Sequence, residues 1–192
     1  MRNFDVRIGV FCGSHAGDQP AFREAAALVG RLLARRGLGI VYGGGRVGLM
    51  GALADAALAA GGQVIGVIPE ALAAREVAHR GVSSLHVVGS MHERKALMAA
   101  HSDAFLALPG GFGTLEELFE VVTWRQLGFH AKPCGLLNVA GYFDRLIAFL
   151  DEAVAAGFVN RPDRAVLIDG DDPEALLERL LELMPAGTAR GR

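Results

Sequence analysis

Phe105 to Trp124 reads FLALPGGFGTLEELFEVVTW, and its three parts decide the fold. Phe105, Leu106, Ala107 and Leu108 form an apolar run too short for a helix and closed by Pro109, which predicts a buried parallel strand. Gly110, Gly111 and Gly113 follow, and without a Cβ they let backbone N–H groups come close to a ligand. From Thr114 the apolar residues Leu115, Leu118, Phe119 and Val122 fall at helical spacing. Strand, glycine turn and helix start, in that order, make an anion site, because first-turn amides lack partners and the positive end of the helix dipole lies there. A plainer reading makes Thr114 the N-cap and Glu117 the N3 acid of a capping box. A cap needs no Gly-Gly-x-Gly ahead of it, so the glycines favour a ligand. Glu116 and Glu117 are then expected in the first turn, where they would repel a phosphate unless cations such as Arg94 and Lys95 stand near.

Outward from this stretch the same alternation repeats. Val6–Cys12 predicts a first strand, and Gln19-Pro20 opens a helix to about Arg36. Leu38–Tyr42 predicts a second strand that runs into Gly43-Gly44-Gly45-Arg46-Val47-Gly48, and a helix from about Leu49 to Ala60 closes on Gly61-Gly62. Gln63–Ile68 is a third strand, and 69–82 has no apolar period and reads as a loop with one helical turn at most. Leu85–Val88 is a fourth strand, and Ser90 with Glu93 caps a helix through His101 that carries Arg94 and Lys95 in its first turn. Pro133–Leu137, a helix from about Tyr142 to Ala156, Val166–Ile168 and a helix opened by Asp172-Pro173 complete the chain. Strands that are continuous apolar runs are covered on both faces. The expected fold is therefore α/β, a Rossmann-like, doubly wound and mainly parallel sheet, with one domain over 1–184 and a frayed tail over 185–192. Ligands of such sheets sit at the carboxyl ends of the strands, where Gly13-Ser14, both glycine turns and Arg94-Lys95 fall.

With 192 residues, 52% hydrophobic and 21% charged, the chain suits one well-buried domain. A formal charge of −2 and scattered arginines argue against a nucleic-acid partner. The N-terminus has charges within its first residues and no segment reaches 18 uninterrupted apolar residues, so neither a secretion signal nor a membrane span is expected, and the protein is expected to be cytoplasmic. Cys12 and Cys134 lie in apolar runs and are expected to be buried and reduced.

Gly43, Gly45 and Gly48 satisfy G-x-G-x-x-G, with Glu70 placed as a ribose-binding acid would be, which read literally means NAD. The fingerprint normally follows the first strand, and here it follows the second. No glycine turn is followed by Lys, which removes the Walker pattern. His15, His79, His86, His92, His101 and His130 lack metal-ligand spacing, so no metal is expected. There is no G-x-S-x-G elbow. Only Lys95 and Lys132 could form a Schiff base with pyridoxal phosphate, and nothing around either argues for it. Taken singly, Glu76 is a solvated charge, Thr123 and Trp124 are packing or interface residues, and Arg94 is a surface arginine or a phosphate contact.

Pro109-Gly110-Gly111-Phe112-Gly113-Thr114-Leu115-Glu116-Glu117 matches PGGxGTxxE, and Met91-His92-Glu93-Arg94-Lys95-Ala96 matches a companion M-H-E-R-K-A block. Together they resemble the Lonely Guy family, the cytokinin riboside 5′-monophosphate phosphoribohydrolases, whose bacterial members were often labelled lysine decarboxylases. The likeness extends through Val10–Ser14, Tyr42-Gly43-Gly44, Gly66–Pro69, Arg75-Glu76 and on to Gly141-Tyr142. It implies hydrolysis of the N-glycosidic bond of AMP or a prenylated AMP, without metal or organic cofactor, by a homodimer with sites near its interface. By motif position it implies that Arg94 and Glu117 are catalytic, and that Glu76, Lys95, Gly111, Phe112, Gly113, Thr114, Leu115, Glu116 and Thr123 bind substrate. Ala73-Ala74 stands where many plant members have Met-Pro, a departure that bears on the base pocket. The residue-level alternatives are a nucleotide-binding module without turnover, in which Glu117 only caps, and an NAD-linked oxidoreductase.

Overall fold

The computed structural model of the chain describes residues 5–73 and 77–185; Arg75, Glu76 and the tail from 186 onward lie outside the described residues. Strands β1 (Arg7–Phe11), β2 (Gly39–Tyr42), β3 (Val64–Pro69), β4 (Ser84–Val88), β5 (Ala104–Ala107), β6 (Cys134–Leu137) and β7 (Leu167–Gly170) alternate with helices. These are α1 (Pro20–Arg35), α2 (Gly48–Ala59), α3 (Glu70–Ala73), α4 (Met91–His101), α5 (Phe112–Gln126), α6 (Asp144–Ala155), α7 (Arg161–Arg164) and α8 (Pro173–Glu182). All seven strands pair in parallel, in the order β4-β3-β2-β1-β5-β6-β7. The doubly wound sheet expected from the apolar runs is the observed one.

Burial explains why those runs are continuous. β2, β3, β5 and β6 are buried at every residue. One face packs Phe22, Val29 and Leu33 of α1, Leu49 and Leu53 of α2, and Leu176, Leu177 and Leu180 of α8 against the sheet. The other packs Met98 of α4, Leu118 and Val121 of α5, and Phe143. A strand covered on both sides has no reason to alternate polar and apolar residues. The winding direction reverses between β1 and β5, and a crevice opens past their carboxyl ends. There the two chain segments are tied together, the Gly13 N–H donating to the Pro109 carbonyl at 3.0 Å.

Three local expectations are corrected. The capping box at Thr114 and Glu117 does not form: α5 starts two residues earlier, with Gly111 as its N-cap and no side chain capping it. Phe112 is 94% exposed and Gly113 is exposed too, so the two opening residues of the helix show no apolar period to reveal it. Glu116 and Glu117 consequently sit in the second turn. In α4 the Ser90 hydroxyl does accept from the Glu93 N–H at 3.1 Å, while the Glu93 carboxylate accepts from Gly89. That helix begins at Met91, which puts Arg94 at the end of the first turn and Lys95 beyond it. Helix α6 starts at Asp144 and not near Tyr142, because residues Val139–Gly141 form a 3₁₀ turn, and the short α7 was not foreseen. Among the described residues of 69–82 the structure has the turn α3 and a bridge between Gly45 and Ala78.

Candidate active site

A cleft of about 560 Å³ lies past the ends of β1 and β5. Its walls are the loop from Cys12 to Asp18, the start of α2 at Leu49 and Met50, and the turn from Pro109 to Thr114. Tyr142, Phe22, Leu72, Arg94 and Glu117 complete it. A larger depression of about 940 Å³, lined by Arg46, Asp55, His79 and Arg80, contains neither Arg94 nor Glu117.

At the floor of the smaller cleft Arg94 and Glu117 are each only 8% exposed. Their pairing brings α4 to α5: Arg94 Nη1 lies 2.9 Å from Glu117 Oε1. The rest of the guanidinium is held by backbone, with Nε donating to the Val67 carbonyl at 3.2 Å and Nη2 to the Gly43 carbonyl at 3.5 Å. A planar fork locked at three points fixes the direction of the carboxylate it holds. Burial pushes the Glu117 carboxyl above the usual carboxylate range, and the Arg94 charge opposes that shift. Burial, with the Glu117 charge behind it, drives the Cys12 thiol up, which leaves that cysteine inert although it lines the cleft.

The turn beside this pair has two kinds of glycine. A Cβ on Gly110 would overlap Thr114 Oγ1, so Gly110 is required by the fold itself. A Cβ on Gly111 or Gly113 would meet nothing within 4 Å, and neither residue has a positive φ. Nothing in the chain's own packing demands glycine at those two positions, and the space beside them is the cleft. The Gly43–Gly48 turn differs. Gly43 makes room for the Arg94 guanidinium, and Gly48, at φ +62°, makes room for the Ser14 backbone. In the first turn of α2 the amides of Leu49 and Met50 donate to the Gly13 carbonyl at 3.0 and 3.4 Å. A pyrophosphate could not use them without displacing that carbonyl, so the fingerprint glycines serve packing rather than a dinucleotide.

Of the expected site residues, Arg94, Glu117, Gly111, Phe112, Gly113 and Thr114 converge on the cleft. Lys95 does not line it; its ammonium pairs with Glu116 and, at 2.9 Å, with Glu120. Glu116 and Thr123 are exposed on the outer side of α5, Leu115 packs half-buried against the core instead of lining the cleft, and Glu76 lies outside the described residues. The residue that sequence reasoning passed over is Tyr142, whose hydroxyl donates to the Gly110 carbonyl at 2.7 Å. Its signal was its place just after β6, inside the span of the family likeness.

Neither lysine fits a pyridoxal phosphate site. Hydrogen bonding to Glu116 raises the Lys95 pKa and keeps that amine protonated, while Lys132 donates to the Ala99 carbonyl at 2.6 Å and lies over the Phe105 ring. Among the described residues no three His, Cys, Asp or Glu side chains gather as a metal site would need, and no helix is long and apolar enough to cross a membrane.

Residues 50–180 match the family model described as "Possible lysine decarboxylase". A probable cytokinin riboside 5′-monophosphate phosphoribohydrolase of Oryza sativa subsp. japonica is 52% identical over 179 residues, which cover 93% of this chain and 79% of that one. A cytokinin riboside 5′-monophosphate phosphoribohydrolase of Arabidopsis thaliana is 49% identical over 179 residues, covering 93% and 84%. Among solved structures, the molybdenum cofactor binding protein of Rippkaea orientalis superposes with a TM-score of 0.70 at 24% identity, covering 93% of this chain and 96% of that one. The molybdenum cofactor carrier protein of Chlamydomonas reinhardtii does so with 0.70 at 22%, covering 93% and 97%, and both likenesses concern the fold alone. With half of its residues shared over nearly its whole length, this chain belongs to the cytokinin riboside 5′-monophosphate phosphoribohydrolase family.

Proposed function

We propose that the protein hydrolyses the N-glycosidic bond of AMP or an N6-prenylated AMP, giving the free base and ribose 5-phosphate, with no metal or organic cofactor. The observation that carries this reading is a buried acid, held by a buried arginine, one turn past a glycine bend that the fold leaves open. In the proposed mechanism the 5′-phosphate rests on the amides of Gly111 to Thr114, where helix-start N–H groups have no partners of their own. Glu117 then faces the sugar. As the C1′–N bond breaks, its electron pair leaves with the base and positive charge builds on the ribose ring. The Glu117 carboxylate stabilises that charge and takes a proton from the water whose oxygen bonds to C1′, while the departing base takes a proton from solvent, to which Glu117 then returns its own. A carboxyl pKa raised by burial suits this role, since a stronger base removes the proton more readily near neutral pH. Arg94 keeps enough of the carboxylate ionised and aims it.

Leu49, Met50 and Leu72 supply an apolar wall on which an adenine with an apolar substituent can lie. Lys95, Leu115, Glu116, Thr123 and Glu76 join the substrate site in a homodimer, the arrangement in which the outer side of α5 is covered. Support for such a partner comes from Leu127, Phe129, Phe149 and Phe158, which are 61%, 74%, 62% and 88% exposed. The protein acts in the cytoplasm, as the reading of its sequence expects.

Incubation of the purified protein with AMP and, in parallel, with its isopentenyl analogue tests the reading. Free base and ribose 5-phosphate are expected in equal amounts. Tight binding of both nucleotides with no base released would leave a nucleotide-binding module instead.

A further inference from the structure

The turn after β6 is built under strain, and its strain has one visible product. Ala140 has φ 51° and ψ 32°, the left-handed region that a residue with a Cβ enters at a cost. Such a conformation persists only where the surroundings over-determine it, and here they do. Asn138 donates its backbone N–H to the Gly170 carbonyl at 2.8 Å. The Asn138 side-chain oxygen accepts from the Phe143 N–H at 2.7 Å, and its Nδ2 donates to Asp144 at 2.6 Å. The Tyr142 N–H closes the turn on the Val139 carbonyl at 3.0 Å. What emerges is the Tyr142 ring, set edge-on against Phe22 at 5.4 Å and Phe143 at 4.8 Å, with its hydroxyl 2.7 Å from the Gly110 carbonyl.

Gly110 is the residue before the N-cap of α5. In a trans peptide the carbonyl of one residue and the N–H of the next point in opposite directions. A hydroxyl that fixes the Gly110 carbonyl therefore fixes the Gly111 N–H, the first amide of the open bend. No Cβ on Gly110 or Gly111 restricts that peptide, so the hydroxyl supplies a restraint that the glycines themselves do not.

We propose that Tyr142 is a positioning residue for phosphate: its hydroxyl holds the Gly110–Gly111 peptide so that the bend presents its amides to the 5′-phosphate of the substrate. The inference rests on the reading of the cleft as a nucleotide phosphoribohydrolase site. It concerns the non-reacting end of the substrate, so it predicts a loss in binding and not in the bond-breaking step.

Tyr142→Phe removes the hydroxyl and keeps the ring on Phe22. With AMP as substrate, KM is expected to rise on the order of fivefold, the worth of one neutral hydrogen bond, with kcat within about twofold. Inorganic phosphate, used as a competitive inhibitor, weakens by the same factor, and adenine, used likewise, does not. That split separates positioning of phosphate from general loosening of the cleft. Unchanged KM and phosphate inhibition overturn the proposal, as does an equal loss of adenine inhibition. If Tyr142→Phe matches the unaltered protein and only Tyr142→Ala loses affinity, the ring and not the hydroxyl is what matters, and the proposal also falls. Absence of base release by the unaltered protein would instead remove the reading of the whole site, a result told apart by measuring that protein first.

Discussion

Two turns in this molecule share one description, strand, glycines, helix, and do different work. Gly43–Gly48 joins β2 to α2 and Gly110–Thr114 joins β5 to the body of α5. In the first, the Leu49 and Met50 amides are taken by the Gly13 carbonyl, and Gly43 and Gly48 give way to Arg94 and to the Ser14 backbone. In the second, the helix has no cap and two of its glycines border open space. A glycine pattern alone does not separate a ligand cradle from a packing device. What a Cβ would strike does separate them.

The largest expected effect falls at the second turn. Glu117→Gln keeps an oxygen for Arg94 to bond and so keeps the fold, while base release from AMP falls by roughly two orders of magnitude or more. Turnover at the unaltered rate would reduce Glu117 to a buried structural partner.

Arg94 ties the two turns together, and its removal should be visible in stability. Arg94→Ala leaves Glu117 buried without its cation, which costs about 3–5 kcal/mol near neutral pH. The cost depends on pH in a definite sense. A carboxyl whose folded pKa lies above its unfolded one binds more protons when folded, so stability is greatest below the unfolded pKa and is lost as pH rises through the folded one. In the variant the opposing charge is gone and the shift grows. Melting curves from acid to neutral pH should therefore show the variant losing stability more steeply than the parent as pH rises; parallel curves would mean that Glu117 is solvated.

The smallest effects are the sharpest test of the contrast. Gly43→Ala drives a methyl into the guanidinium and should cost about 1–3 kcal/mol of stability. Gly113→Ala meets nothing in the protein and lies in the first turn of a helix, so it should gain about 0.5–1 kcal/mol. It should nonetheless weaken AMP, because the methyl enters the space assigned to phosphate. If Gly113→Ala bound AMP normally, the open bend would not be the phosphate site.

Much of this was legible in the sequence. Seven apolar runs separated by helical segments dictated the sheet, because the inner strands, buried on both faces, have nothing polar to display. The PGGxGTxxE and M-H-E-R-K-A blocks led to Arg94 and Glu117, and the structure brings the two into contact. The true start of α5 was not legible, since Phe112 and Gly113 are helical but exposed and carry no period. Nor was the role of Gly43, which depends on an arginine 51 residues away in sequence reaching across two strand ends. Tyr142 stayed hidden for a similar reason: its contact with Gly110 comes from a turn with a left-handed alanine that no propensity favours. Lys95 and Thr123 fit the family motifs, yet one chain leaves them outside the cleft.

A crystal structure of the Glu117→Gln protein with AMP tests the central claim most directly. The account predicts the phosphate on the backbone amides between Gly111 and Thr114, and the ribose C1′ facing the side chain at 117. A phosphate seated at Gly43–Gly48, or between Arg46 and Arg80, would contradict it.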